Sequence, residues 1–172
     1  KYAEAAHRNG VHVYSLNIGQ PDIQAPDCAK DAITNFSKDI LAYTPSQGVI
    51  SLRAKMVGYY AEYGIDISPD EIIITSGGSE AIMFAYMACL NPGDEIIVTD
   101  PSYANYMAFA ISCGAVVKSV KTDIEDGFRL PSVEEFEKQI TDKTRAILIC
   151  NPNNPTGYLY SKKEMMQIRD LV

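Results

Sequence analysis

Apolar and polar positions along the chain alternate between two periods, one of short β-branched runs and one of helical stripes. Ile72-Ile73-Ile74 reads as a buried strand that stops at Ser76-Gly77-Gly78-Ser79. Small and helix-favouring residues then continue to Leu90, where Asn91-Pro92-Gly93 ends them. Past that point the order repeats. A strand over 95–99 turns at Asp100-Pro101-Ser102-Tyr103 into a helix ending near Gly114. A strand over 115–121 follows, then an acidic loop over 122–127 expected to be solvated. Ser132-Val133-Glu134-Glu135 has the form of a capping box opening a helix to 140, and a strand over 145–150 runs into Asn151-Pro152-Asn153-Asn154-Pro155-Thr156-Gly157.

Before the first strand the pattern is looser. Residues 2–8 read as a helix closed by Asn9-Gly10, and 11–18 as an extended stretch leading into Gly19-Gln20-Pro21-Asp22. Residues 27–40 have helical spacing at Ala29, Ala32, Ile33 and Phe36. After the loop Tyr43-Thr44-Pro45-Ser46-Gln47-Gly48, Ser51 is placed to cap a helix that stops at Gly64. Its stripe of Leu52, Met56, Tyr59, Tyr60 and Tyr63 predicts core packing. At the other end Ser161 and Glu164 form a second capping box, opening a helix that reaches Val172 with no stop signal. Both ends read as cut from a longer chain.

Strands alternating with helices require crossover connections, so the predicted fold is α/β, three layers of α/β/α around a mainly parallel sheet. Ligands of such sheets sit at the carboxyl ends of the strands. The polar turns after Ile74, Thr99 and Cys150 are therefore expected along one edge. The first joins a strand, two glycines and a helix start, which aims free backbone N–H groups at one point: a phosphate cup. Ser79 adds a hydroxyl, Tyr103 a ring face, and Asn154 an amide able to donate to a ring oxygen. Packing for Tyr103 and simple strand termination for the proline-rich turn remain open on these residues alone.

Composition removes several alternatives. The 172 residues carry a net charge of −7 with no basic run, against a nucleic-acid or anionic-membrane surface. No apolar run is long enough to span a bilayer. Cys28, Cys89, Cys113 and Cys150 are widely spaced; they suggest a reducing, cytoplasmic setting and small core side chains rather than ligands. His7 and His12 lie away from any Cys or carboxylate cluster, so no metal site is expected. G-x-G-x-x-G after a first strand, G-x-x-x-x-G-K-[ST] and G-x-S-x-G are all missing.

Asn151-Pro152-Asn153-Asn154-Pro155-Thr156-Gly157 resembles the signature turn of class I/II aminotransferases, the fold-type-I enzymes that use pyridoxal 5′-phosphate (PLP). Three more segments match in the family's order: Asn17-Ile18-Gly19-Gln20-Pro21-Asp22, Tyr43-Thr44-Pro45-Ser46-Gln47-Gly48 and Thr75-Ser76-Gly77-Gly78-Ser79-Glu80-Ala81. Pro101-Ser102-Tyr103 falls where the ring-stacking aromatic is expected. The resemblance implies residues 1–44 as a segment leading into the active-site edge and 45–172 as the first part of the PLP-binding large domain. It implies a homodimer acting on amino-acid and 2-oxo-acid substrates.

By that resemblance, Gly19 lies by the substrate carboxylate, and the amides of Gly78, Ser79 and Glu80 with the Ser79 hydroxyl hold the PLP phosphate. Tyr103 stacks on the pyridine ring, Asn154 meets the 3′ oxygen, and Tyr43 reaches the phosphate of the neighbouring subunit's cofactor. The Glu80 carboxylate would repel a phosphate, so its side chain is expected to point away or pair with a cation. The family's Schiff-base lysine, the aspartate facing the pyridine nitrogen and the carboxylate-binding arginines all come later in the family's order. Lys162 and Lys163 follow the signature turn too closely and read as a solvated face. Two rivals stay open: a PLP-dependent lyase of the same fold, and a non-catalytic effector-binding domain of a transcription regulator.

Overall fold

The computed structural model describes residues 1–16, 19–37 and 39–171. Asn17 and Ile18 of the first matching segment, Lys38 and Val172 lie outside the described residues. The chain divides into two units, 1–43 and 44–172.

The first unit holds α1 (Tyr2–Arg8) and α2 (Asp27–Thr34). Asn9-Gly10 ends α1 as expected, with Gly10 at φ 72°. α2 stops at Thr34 instead of reaching residue 40, and neither helix has a buried residue. Ile33 and Phe36 of the expected stripe are exposed. The stretch from 11 onward joins no strand ladder among the described residues.

In the second unit, β1 (Glu95–Asp100) lies between β2 (Val116–Lys121) and β3 (Thr144–Leu148), and all three are parallel. Crossovers are supplied by α5 (Ala104–Ser112) between β1 and β2 and by α6 (Val133–Glu137) between β2 and β3. α3 (Ile50–Ala61) and α4 (Gly78–Cys89) precede the sheet, and α7 (Lys162–Arg169) follows it.

Alternation along β1 explains the layers. Ile96 packs with Tyr86 of α4, with Leu90 just after that helix, and with Ala110 of α5. Its neighbour Ile97 points the other way, to Phe136 of α6 and Ile168 of α7. A strand covered on both faces has no solvent side, which is why Glu95-Ile96-Ile97-Val98-Thr99 is buried without a break. The three-layer parallel α/β arrangement is the predicted one. Glu95 is tolerated at the start of the strand because Thr141 donates to its carboxylate at 2.8 Å and Lys118 lies 3.5 Å away.

Several local expectations are corrected. Ile72-Ile73-Ile74 is extended but joins no ladder: the Ile74 N–H donates to the Gln47 carbonyl at 2.9 Å, and no strand flanks this run among the described residues. α3 starts at Ile50, before Ser51, and ends at Ala61, short of Tyr63; Leu52 and Tyr59 on it and Tyr63 beyond it are exposed, and Arg53 is its one buried residue. Arg53 donates to the Pro69 carbonyl at 2.7 Å and so ties α3 to the 3-10 turn Pro69–Glu71. α6 ends at Glu137, with no side-chain hydrogen bond at its Ser132 cap. The box at Ser161 and Glu164 does form, with reciprocal bonds of 2.7 and 3.3 Å. A further box joins Ser68 and Glu71, where the Ser68 N–H donates to the Glu71 carboxylate at 2.8 Å. Cys28 and Cys89 are exposed rather than core, and all four cysteines are free thiols. No helix among the described residues is long and apolar enough to cross a membrane.

Candidate functional site

The cup is built by a reversal. Asn91-Pro92-Gly93 folds the chain back from α4 into β1, so the amino end of α4 faces the end of the sheet where β1 finishes. The first intrahelical bond is Ala81 N–H to the Gly77 carbonyl at 3.2 Å. The N–H groups of Gly78, Ser79 and Glu80 therefore have no acceptor among the described residues, as the first turn of any helix requires of an outside partner. Gly77 and Gly78 keep the approach open: a Cβ built on either meets nothing within 4 Å. Thr75 Oγ1 donates to the Gly77 carbonyl at 3.0 Å and fixes the turn from behind.

Glu80 resolves its conflict with an anion locally. Its carboxylate folds back across the first turn and accepts from the Ser76 N–H at 2.6 Å. No cation pairs with it among the described residues, so a backbone donor takes the role expected of a lysine or arginine.

The turns after β1 and β3 meet at the same end of the sheet. Tyr103 caps α5 in an extended conformation and stays 39% exposed, edge-on to Tyr106 with ring centroids 5.4 Å apart. Asn105 donates to its hydroxyl at 2.8 Å. Asn154 is exposed, whereas its neighbour Asn153 is 5% exposed. The Asn153 amide donates to Thr156 Oγ1 at 2.8 Å and to the Pro101 carbonyl at 3.3 Å, joining the two turns. Thr99 and Tyr160 hydroxyls, 3.4 Å apart, make a second link, and the Asn151 carboxamide oxygen accepts from the Tyr160 N–H at 2.9 Å.

Behind Tyr103, the Tyr106 hydroxyl is pushed up to about 12 by its hydrogen bond to Cys150 and then by burial. Tyr86, pushed up to about 12 chiefly by burial, donates to the Tyr106 carbonyl at 3.2 Å.

Of the residues singled out in the sequence, Tyr103 and Asn154 are brought onto adjoining turns, and Gly78, Ser79 and Glu80 form the helix start facing that end of the sheet. Gly19 and Tyr43 belong to the first unit, where both are exposed. Lys162 and Lys163 are exposed, as expected of a solvated face. Asn153 and Tyr106 were not foreseen; a doubled asparagine between prolines, and a tyrosine one helical turn after Tyr103, are the signals that could have found them.

The donors present fit PLP. Three unpartnered N–H groups at a helix start suit a dianionic phosphate. An exposed tyrosine face and an exposed carboxamide suit a pyridine ring bearing an oxygen. Ser102 Oγ and Asn153 Oδ1 are buried at the same turns with no partner, leaving hydrogen-bonding capacity unused beside the site.

Known proteins share the sequence pattern and fold of this chain. The family model of aminotransferase class I and II matches residues 11–172. An aspartate aminotransferase of Thermotoga maritima is 38% identical over 165 residues, covering 94% of this chain and 43% of that protein. An aspartate/prephenate aminotransferase of Thermus thermophilus is 35% identical, covering 91% and 41%. The chain thus spans about two-fifths of the length of these curated relatives. Among solved structures, the Thermotoga maritima aspartate aminotransferase superposes with a TM-score of 0.90 at 36% identity, covering 99% of this chain and 46% of that one. An alanine aminotransferase from Pyrococcus furiosus gives 0.88 at 36% identity, covering 98% and 44%. With the matching family model running from residue 11 to residue 172, the chain belongs to the aminotransferase class I and II family.

Proposed function

We propose that this chain is the amino-terminal part of a PLP-dependent aminotransferase that moves an amino group between an amino acid, with aspartate as the first candidate, and a 2-oxo acid. The observation that carries this reading is the trio of unpartnered N–H groups at Gly78, Ser79 and Glu80, on a helix start facing the same end of the sheet as Tyr103 and Asn154. PLP, when bound, supplies an electron sink for the charge left when a substrate carbon loses its proton.

The residues of this chain bind and orient. The three amides and the Ser79 hydroxyl hold the phosphate, and the Glu80 carboxylate is kept on Ser76. Tyr103 presents its ring face, Asn154 donates to the 3′ oxygen, and Gly19 leaves room for the substrate carboxylate. Tyr43 serves the neighbouring subunit's site in a homodimer, and its full exposure accords with that role. Four free thiols accord with a reducing, cytoplasmic setting. On this reading no lysine of residues 1–172 is assigned the proton shuttle.

The test is an absorbance spectrum of the full-length protein with PLP before and after borohydride, with peptide mass mapping and an assay of 2-oxo acid formation. A visible band converted to a stable adduct on a lysine after Val172, together with amino-group transfer, supports the reading. Elimination products in place of a transferred amino group point to a lyase of the same fold. Binding without an adduct points to an effector-binding domain.

A further inference from the structure

Asn153 is a buried amide on a turn that is otherwise open to solvent. Asn151, Pro152, Asn154 and Pro155 around it are all exposed. Its main chain closes the turn on itself: the Asn153 N–H donates to the Tyr158 carbonyl at 2.8 Å, and the Asn153 carbonyl accepts from the Gly157 N–H at 2.7 Å. Its side chain leaves that loop and reaches the other turn at the Pro101 carbonyl, while Thr156 Oγ1 holds the amide plane. Pro101 is two residues before Tyr103, and Asn153 adjoins Asn154. One side chain therefore spans from the backbone that carries the aromatic face to the backbone that carries the exposed carboxamide.

Packing alone does not account for an asparagine here. Its Oδ1 is buried without a partner, so half of the amide's hydrogen-bonding capacity is desolvated and unrecovered. What the amide alone provides is a pair of donors in one plane, aimed at acceptors on two different segments.

We infer that Asn153 is a positioning residue that locks the Asn154 turn onto the Tyr103 turn and so sets the distance between the ring-stacking face and the donor to the cofactor's 3′ oxygen. The inference rests on the PLP reading above. Because a donor to that oxygen favours its ionised form, loosening the turn moves the pH midpoint of the bound cofactor's visible absorbance upward.

The experiment uses the full-length protein, with Asn153→Ala and Thr156→Val, the second being isosteric and removing the acceptor that holds the amide plane. PLP affinity, the pH midpoint of the bound spectrum and the melting temperature of the cofactor-free protein are measured for each. Asn153→Ala is expected to weaken PLP binding about ten-fold, the scale of one well-placed hydrogen bond, and to raise the midpoint. Thr156→Val moves both in the same direction by less. If Asn153→Ala does not fold, the Thr156→Val result decides. A folded variant with unchanged midpoint overturns the inference, whether or not its affinity falls. Wild-type protein that does not bind PLP overturns the functional reading itself, a result separate from any variant.

Discussion

The cup and the Asn-Pro turn face one end of the sheet but are held in opposite ways. Ser76 to Glu80 is open, with three N–H groups that have no acceptor among the described residues, and its side-chain anchors are both local, Glu80 on Ser76 and Thr75 on Gly77. The 150–160 segment is latched by Asn153, Thr156, Asn151 and Tyr160, with two of those residues buried. On the proposed reading, a phosphate would bring enough charge to organise its own donors, so the cup would need no built lock. On the same reading, a single hydrogen bond to a ring oxygen would carry too little free energy to order a loop, so its donor would have to be placed beforehand.

Substitutions can break that contrast. The largest effect is expected from Ser79→Asp, which sets a carboxylate among donors meant for a phosphate. A like charge at that range weakens PLP binding on the order of 100-fold. Melting of the cofactor-free protein should scarcely change, because residue 79 is exposed. Titration of the full-length variant with PLP, followed by absorbance, checks both halves.

Gly48→Ala acts on the support of the cup. Gly48 has φ +96°, and an added Cβ would lie 2.6 Å from Ile74 Cβ and Cγ1. Strain and overlap together cost roughly 2–4 kcal/mol. Thermal melting should fall by several degrees, with weaker PLP binding following because Ile74 leads directly into the turn.

Glu80→Gln sharpens the contrast by keeping the acceptor for Ser76 and removing the charge. PLP binding should strengthen by about two- to three-fold, the scale of a screened surface charge. Weaker binding would mean that the charge, and not the acceptor, holds the turn.

The smallest expected effect is alkaline. Tyr106 in the folded state is pushed from 10.0 to about 12. The unfolded chain ionises first, so this group's stabilisation is intact below pH 10 and is lost as pH rises toward 12. Tyr106→Phe should flatten that limb of a stability-versus-pH curve measured by denaturant unfolding.

The sheet and its helices were legible because β1 and its covers obey simple periods: an unbroken apolar centre, Ile96-Ile97-Val98, where both faces are buried, and helical stripes ended by Gly93 and Gly114. The helix start at Gly78 was legible because two glycines between an apolar run and a helix mark a turn, and the phosphate reading rests on three polar turns converging at one end of the sheet. The rest turned on partners distant in sequence. Ile72-Ile73-Ile74 has strand composition, yet a ladder needs a neighbour, and Ile74 bonds Gln47 instead. The tyrosines of α3 have helical spacing, yet burial needs a second surface, and among the described residues α3 meets the Pro69–Glu71 turn through Arg53. Asn153 and Asn154 are identical letters side by side; the contact to Pro101, 52 positions away, separates the buried latch from the exposed donor.

The most direct test of the central claim is a crystal structure of the full-length protein with PLP. The cup and latch predict the phosphate within hydrogen-bond distance of the Gly78, Ser79 and Glu80 N–H groups, the 3′ oxygen on the Asn154 amide, and the Asn153–Pro101 contact intact. PLP with its phosphate held elsewhere, or with Asn154 turned away from the ring oxygen, would contradict it.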